Sequence, residues 1–101
     1  GKKIGNDIQE GKINLPLLIA INKMTFTEKR NVYSILRKKT NNVAEIKFVQ
    51  DLVLLYRGIE YAESLINKYC NEVISLISSF ENTQYKESLV SLLNYLMIRS
   101  K

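Results

Sequence analysis

Hydrophobic residues recur every three or four positions along most of this chain, and no segment sustains an alternation of apolar and polar residues. The clearest repeat runs from Ile59 to Phe80, where apolar positions continue in steps of three and four. This spacing places the side chains on one face of an α-helix. Leu65, Cys70 and Ile77 widen that face, which predicts packing against several neighbouring helices. The pattern predicts an all-α fold.

Capping signals mark further helices before this repeat. Pro16 fits the first turn of a helix, where its missing N–H is not needed. Thr25 or Thr27 can cap a helix that ends near Lys39. Residues 40–42 then end that helix and cap the next one.

Glycine and proline mark the irregular parts of the chain. Gly58 predicts a C-cap or a break, and residues 81–83 predict a turn before a last helix. Three of the four glycines and the single proline lie within the first sixteen residues. We therefore expect a loop over residues 1–12 and five helices over residues 13–101, three of them long.

Two segments are apolar around most of the helix, residues 48–56 and residues 89–98. Such helices are normally interior to a protein. A chain of 101 residues supplies too few layers to cover both. We expect that the chain either oligomerises or is a piece of a larger protein.

The composition excludes several kinds of site. The chain has no His and one Cys, Cys70, which rules out a Cys/His zinc site, a disulfide framework and a Ser-His or Cys-His pair. Cys70 lies on the apolar face of its helix and is expected to be a core residue. The longest apolar run of the chain, Leu15 to Ile21, is too short to cross a bilayer. No signal-peptide segment follows the first residues. We expect a cytoplasmic protein with no transmembrane segment.

The chain has a net charge of +5. The excess of positive charge lies in residues 1–50, which contain ten basic and four acidic residues. The Arg37–Lys39 cluster fits the last turn of a helix, where cations complement the helix dipole. An RNA-binding domain is disfavoured because the charge is confined to one half and lacks interleaved aromatics. The six tyrosines fall at helical spacings and are expected in the core or at its edge. We predict no nucleic-acid partner.

Residues 1–18, GKKIGNDIQEGKINLPLL, form a dense motif. They resemble the segment G-K-x-x-G-x-D-x-x-E-G-K-x-T-L-P-L of the trans-polyprenyl diphosphate synthases, which include the farnesyl, geranylgeranyl, heptaprenyl and octaprenyl diphosphate synthases. Asn14 replaces the usual Thr. Residues 58–62 are similar to the family's G-x-x-Y-A/T helix start, and residues 95–101 to its Y-hydrophobic-hydrophobic-x-R-x-K ending.

The resemblance implies the C-terminal helices of an isoprenoid-synthase-type helical bundle. The family carries two Asp-Asp-x-x-Asp motifs that bind Mg²⁺, and both precede the segment that this chain resembles. No Asp-Asp pair occurs here. We therefore expect a C-terminal portion whose Mg²⁺ is bound by aspartates upstream.

Two lysines ten positions apart, Lys2 and Lys12, could close around an anion if residues 1–12 form a loop. The resemblance assigns both to the allylic diphosphate. Lys3 is a rival to Lys2, because some members shorten this segment by one residue. The resemblance places Asp7 close to the metal cluster as an outer-shell partner.

The C-terminal residues Arg99 and Lys101 have two interpretations. They resemble the basic tail that closes over isopentenyl diphosphate in this family. A basic last helical turn that complements the helix dipole explains them equally well.

The resemblance implies a Mg²⁺-dependent prenyltransferase that condenses isopentenyl diphosphate with an allylic prenyl diphosphate and works as a homodimer. The chain alone is expected to be inactive. The alternative is a small non-catalytic helical interaction module that self-associates through its apolar faces.

Overall fold

The computed structural model describes residues 2–99 of the chain, with the side chains of residues 4–98. Over these residues the secondary structure consists of six helices and no strand, so the all-α prediction is confirmed. The fold is consistent with the helices of an isoprenoid-synthase-type bundle. The helices are α1 (Lys2–Glu10), α2 (Leu15–Lys23), α3 (Phe26–Lys38), α4 (Val43–Leu55), α5 (Gly58–Ile77) and α6 (Gln84–Arg99).

Helix α1 corrects the prediction of a loop over residues 1–12. Ile4 and Ile8 lie one helical turn apart, and both are buried. They place an apolar stripe on α1, which packs against α4 and α3. Burial of two isoleucines outweighs the cost of a glycine inside a helix, about 1 kcal/mol for Gly5.

The predicted helix starts are confirmed, and their caps are resolved. Asn14 caps α2, and Asn42 caps α4. Thr25 is the cap of α3, and it forms a capping box with Glu28. In each case a side-chain oxygen accepts a hydrogen bond from an N–H group of the first turn.

The chain forms two compact units, one ending at Tyr61 and the other beginning at Ala62. In the first unit, α4 packs against α1, α2 and α3. The buried residues of this unit lie on these four helices and at Met24, the residue that follows α2. They are Ile4, Ile8, Leu17, Ala20, Ile21, Met24, Val32, Ile35, Leu36, Val49, Leu52 and Val53.

The second unit buries few of its apolar side chains. Ala62, Cys70 and Leu93 are its buried hydrophobic residues among those described, and the core position predicted for Cys70 is confirmed. Its exposed large hydrophobic residues are Tyr69, Val73, Leu76, Phe80, Tyr85, Leu89, Leu92, Tyr95, Leu96 and Ile98. Within the described part of the second unit, residues 62–98, the apolar stripe of α5 therefore stays largely exposed.

The tyrosines differ from their prediction in the same direction. Five of the six are exposed, namely Tyr33, Tyr61, Tyr69, Tyr85 and Tyr95. Tyr56 alone packs against the core of the first unit, among the residues described. A helical spacing fixes the face on which a tyrosine lies, and only a packing partner can bury that face.

The junction between α4 and α5 places a non-glycine residue in the left-handed region. Arg57 has φ 58°, and its carbonyl accepts a hydrogen bond from the Tyr61 N–H. Gly58 does mark a break, as predicted, but it begins α5 instead of capping α4. A β-carbon at Gly58 would lie 2.2 Å from the Pro16 carbonyl oxygen, so only glycine lets these two segments meet.

A hydrogen bond links the start of α3 to the end of α4. The Tyr56 hydroxyl donates to Glu28 Oε1 over 2.6 Å, and the same carboxylate oxygen accepts from the Thr25 N–H. The bond from Tyr56, then that from the Thr25 backbone, lowers the pKa of Glu28 from its ordinary value of 4.5. The bond to Glu28 also raises the pKa of the Tyr56 hydroxyl.

We predict that Tyr56→Phe lowers the melting temperature at neutral pH. The pKa of Glu28 is lower in the folded chain, so its stabilising effect is present above the unfolded pKa. This effect is lost as the pH falls through the folded pKa. Thermal melts of both proteins at neutral and strongly acidic pH should show the difference shrinking in acid. A difference that does not depend on pH would contradict the assignment.

No helix among the described residues is long and apolar enough to cross a bilayer.

Candidate functional site

Asp7 and Lys12, two residues of the motif, meet where α1 turns into α2. We call this the α1–α2 corner, defined by Asp7, Glu10, Gly11, Lys12 and Asn14. Its backbone forms a Schellman motif, in which the Gly11 N–H donates to the Ile8 carbonyl over 3.0 Å and the Lys12 N–H donates to the Asp7 carbonyl over 2.8 Å. Gly11 has φ +73°, the left-handed conformation that this motif requires.

The end of α3 packs against this corner. A β-carbon at Gly11 would lie 2.7 Å from the Leu36 carbonyl oxygen and 3.3 Å from Lys39 Cγ. The glycine of the Glu10-Gly11-Lys12 sequence is therefore needed for both its φ angle and its close packing. The corner is a fixed turn, since its backbone hydrogen bonds and its packing both restrain it.

Lys12 lies at the corner with its ammonium in an ion pair. Its Nζ is 2.8 Å from Glu10 Oε2, and both side chains are more than half exposed. The hydrogen bond to Glu10 and the charge of Glu10 raise the pKa of Lys12, and the charge of Asp7 adds to this. Lys12 is thus fully cationic at neutral pH, and an incoming anion competes with Glu10 for it.

Asn14 connects Asp7 to the start of α2. The Asn14 Nδ2 group donates to Asp7 Oδ2 over 2.9 Å, and Asn14 Oδ1 accepts from the Leu17 N–H over 3.0 Å. One amide therefore caps a helix and holds a carboxylate. Sequence reasoning missed this role of Asn14 and the pairing of Glu10. The signal for the first was the Asn itself, which is a preferred N-cap residue before Pro16.

The structure brings Asp7 and Lys12 together at this corner. It separates Lys2 from Lys12, because α1 places the backbones of Lys2 and Glu10 about 12 Å apart. The premise that both lysines lie in one loop is therefore wrong, because residues 2–10 are helical, and the assignment of the two lysines to an anion stays a prediction. The side chains of Lys2 and Arg99, and all of Lys101, lie outside the described residues, so their roles stay predictions.

Metal-ligating side chains do not cluster in the part of the chain that the structure describes. No group of three or more His, Cys, Asp or Glu side chains is placed to hold a metal ion there. The Asp7 carboxylate is bonded to the Asn14 amide.

Comparison with known proteins finds a distant similarity. The chain is 25% identical over all 101 residues to the decaprenyl-diphosphate synthase of Dictyostelium discoideum. It spans about a fifth of that protein's length, 21%. No family profile matches the chain, and no solved structure matches it. The similarity to a polyprenyl diphosphate synthase therefore extends along the whole chain, and it supports a prenyltransferase-related origin.

Proposed function

We propose that these residues are the C-terminal part of a polyprenyl diphosphate synthase, an enzyme that joins isopentenyl diphosphate to an allylic prenyl diphosphate. The observation that carries this proposal is the similarity to a decaprenyl-diphosphate synthase over all 101 residues. The motif of residues 1–18 points to the same enzyme class. The all-helical fold is consistent with it.

In this proposal the α1–α2 corner contributes to the grip on the allylic diphosphate. The C–O bond of the allylic substrate breaks, and negative charge builds on the departing diphosphate. The Lys12 ammonium neutralises part of that charge from the corner, and Lys2 does so from the other end of α1. Asp7, held by Asn14, orients polar groups around this site. Arg99 and Lys101 would close over isopentenyl diphosphate.

Mg²⁺ is placed outside this chain in the proposal, on aspartates of the upstream part of the enzyme. Bound there, it would neutralise further charge on the diphosphate. The proposal also includes the family's homodimer and a cytoplasmic location. The roles proposed for the residues of this chain do not require any of them to bind Mg²⁺.

The first test is enzymatic. The full-length protein that contains this chain should incorporate labelled isopentenyl diphosphate into a longer prenyl diphosphate when farnesyl diphosphate and Mg²⁺ are supplied. The chain of 101 residues alone should show no turnover, since it has no Asp-Asp pair. Turnover by the chain alone, above a control without protein, would contradict the proposal.

The alternative function is a helical interaction module that self-associates without catalysis. The observation that favours it is the exposure of apolar residues on α6, where Leu92 is 52% exposed and Ile98 is 71% exposed. A reading frame that extends upstream into an Asp-Asp-x-x-Asp motif would support the enzyme. An initiator Met directly before Gly1 would support the module.

We predict that the chain of 101 residues associates in solution. The exposed apolar faces of residues 48–56 and 89–98 would otherwise leave patches larger than a monomer usually tolerates. Sedimentation velocity at micromolar concentration should show dimers or larger species. Leu92→Lys with Leu96→Lys should shift the distribution toward monomer. A compact monomer of the unmodified chain would contradict this prediction.

A further inference from the structure

The outer face of α3 carries an ordered set of side chains. Phe26, Arg30, Tyr33 and Arg37 follow one another in steps of four, three and four residues. Such steps align side chains along one side of a helix. We call these four residues the α3 stripe. It lies opposite the buried face of α3, which consists of Val32, Ile35 and Leu36.

The α3 stripe is exposed and alternates aromatic rings with guanidinium groups. Phe26 is 77% exposed and Tyr33 is 41% exposed. The Arg30 guanidinium lies 5.6 Å from the centre of the Phe26 ring, within the range of a cation–π contact. The sequence prediction that basic residues lack interleaved aromatics is therefore wrong for this helix. The helix brings together residues that look scattered along the chain.

The positive charge of this face is not neutralised. Glu28 is the single acidic residue of α3, and its carboxylate is bonded to Thr25 and Tyr56. Within residues 4–98, the ion pairs that the structure contains leave Arg30 and Arg37 without a carboxylate partner. The α3 stripe is thus a cationic surface with two exposed rings.

We propose that the α3 stripe binds the surface of an anionic lipid bilayer. Its arginines would contact lipid phosphates, and Phe26 and Tyr33 would enter the headgroup layer, where aromatic rings are favoured. The stripe is about 17 Å long and lies along one side of α3, which suits a flat partner. This inference rests on α3 alone and goes beyond the proposed catalytic function.

Stacking on single-stranded RNA fits the α3 stripe less well. The two rings lie seven residues apart on the helix, which separates them by about 10 Å. Adjacent bases could stack on both rings only if the strand stretched to about three times the ~3.4 Å spacing of stacked bases. A bilayer imposes no such spacing on the rings.

A shallow groove beside the α3 stripe adds polar groups suited to a lipid headgroup. It lies between α3 and α4 and has a volume of about 400 Å³. Asn31, Ser34 and Lys38 line it from α3, next to the stripe, and Glu45 and Phe48 line it from α4. A headgroup phosphate bound by an arginine of the stripe would meet the Asn31 amide and the Ser34 hydroxyl there, while the Glu45 carboxylate stays paired with Lys38.

The test is co-flotation of the full-length protein with vesicles of phosphatidylcholine, with and without phosphatidylserine. We expect binding only with phosphatidylserine, and loss of binding at high salt. Arg30→Ala with Arg37→Ala should lower the partition coefficient by roughly twentyfold, about fivefold per cation. Arg30→Lys with Arg37→Lys should retain most of the binding, because attraction to an anionic bilayer depends on the charge of the side chain and not on the planar geometry of the guanidinium group.

Lys47→Ala with Lys68→Ala is the matched control, since it removes the same charge from exposed positions of α4 and α5. It should bind as the unmodified protein does. Far-ultraviolet circular dichroism checks that each variant is folded. Equal binding by the double arginine variant, or binding independent of phosphatidylserine, would overturn the proposal. So would tight binding to a labelled RNA oligonucleotide together with no binding to vesicles.

Discussion

If the proposed function holds, Lys12→Ala in the full-length protein should lower kcat by about a hundredfold and weaken binding of the allylic substrate. An ammonium that contacts the departing diphosphate matters most when charge builds on that group. Such contacts commonly contribute ~3 kcal/mol in the transition state. Lys2→Ala should have an effect of the same size. Steady-state kinetics with varied allylic diphosphate measure both parameters.

Arginine at either position should rescue activity only in part, since a planar guanidinium does not replace a compact ammonium. Lys3→Ala is the internal control and should be mild. A larger effect at Lys3 than at Lys2 would move the first assignment by one residue. If all three alanine variants keep normal turnover and Michaelis constants, the diphosphate assignment is wrong and the corner has only a structural role.

Gly58→Ala should destabilise the fold by about 2–4 kcal/mol. The added β-carbon would lie 2.2 Å from the Pro16 carbonyl oxygen and 3.0 Å from its carbonyl carbon. Both are backbone atoms, so α2 or the start of α5 must shift to relieve the clash. Denaturant unfolding of the full-length protein and the variant measures the loss.

Gly5→Ala is the matched control, because it adds the same methyl group inside a helix of the same unit. Its β-carbon would lie 3.0 Å from Gln50 Nε2, which is a side-chain atom and not a backbone atom. Alanine is also the better helix former by about 1 kcal/mol. Gly5→Ala should therefore cost much less stability than Gly58→Ala. A Gly58→Ala variant as stable as Gly5→Ala would show that the approach of Pro16 is not restrictive.

The helix starts were predictable because capping is local chemistry. Thr25 and Asn42 satisfy N–H groups within three residues of themselves, so the sequence around each one is sufficient. Helix α1 was not predictable by the same signals, since Gly5 and Gly11 indicated a loop. Its stability comes from Ile4 and Ile8, which pack against helices distant in sequence. The positions of the glycines give no information about such contacts.

The candidate site was predictable only in part. The motif identified Asp7 and Lys12, and a Schellman turn brings them to one corner. The Asp7–Asn14 bond spans seven residues and depends on the angle at which α2 leaves the turn. The exposure of the apolar residues of α5 and α6 was not predictable from their spacing either. The spacing of apolar residues identifies the apolar face of a helix, and it does not identify the surface that packs against this face.

The charge of the corner also depends on the Asn14 side chain, a neutral amide that donates to the Asp7 carboxylate. Hydrolysis of this amide would leave an aspartate, which still accepts the Leu17 N–H and still caps α2. The nitrogen that donates to Asp7 would be replaced by a carboxylate oxygen, so two anions would face each other across a former hydrogen bond. A molecule with aspartate at position 14 would keep the cap of α2 and carry one more negative charge at the corner.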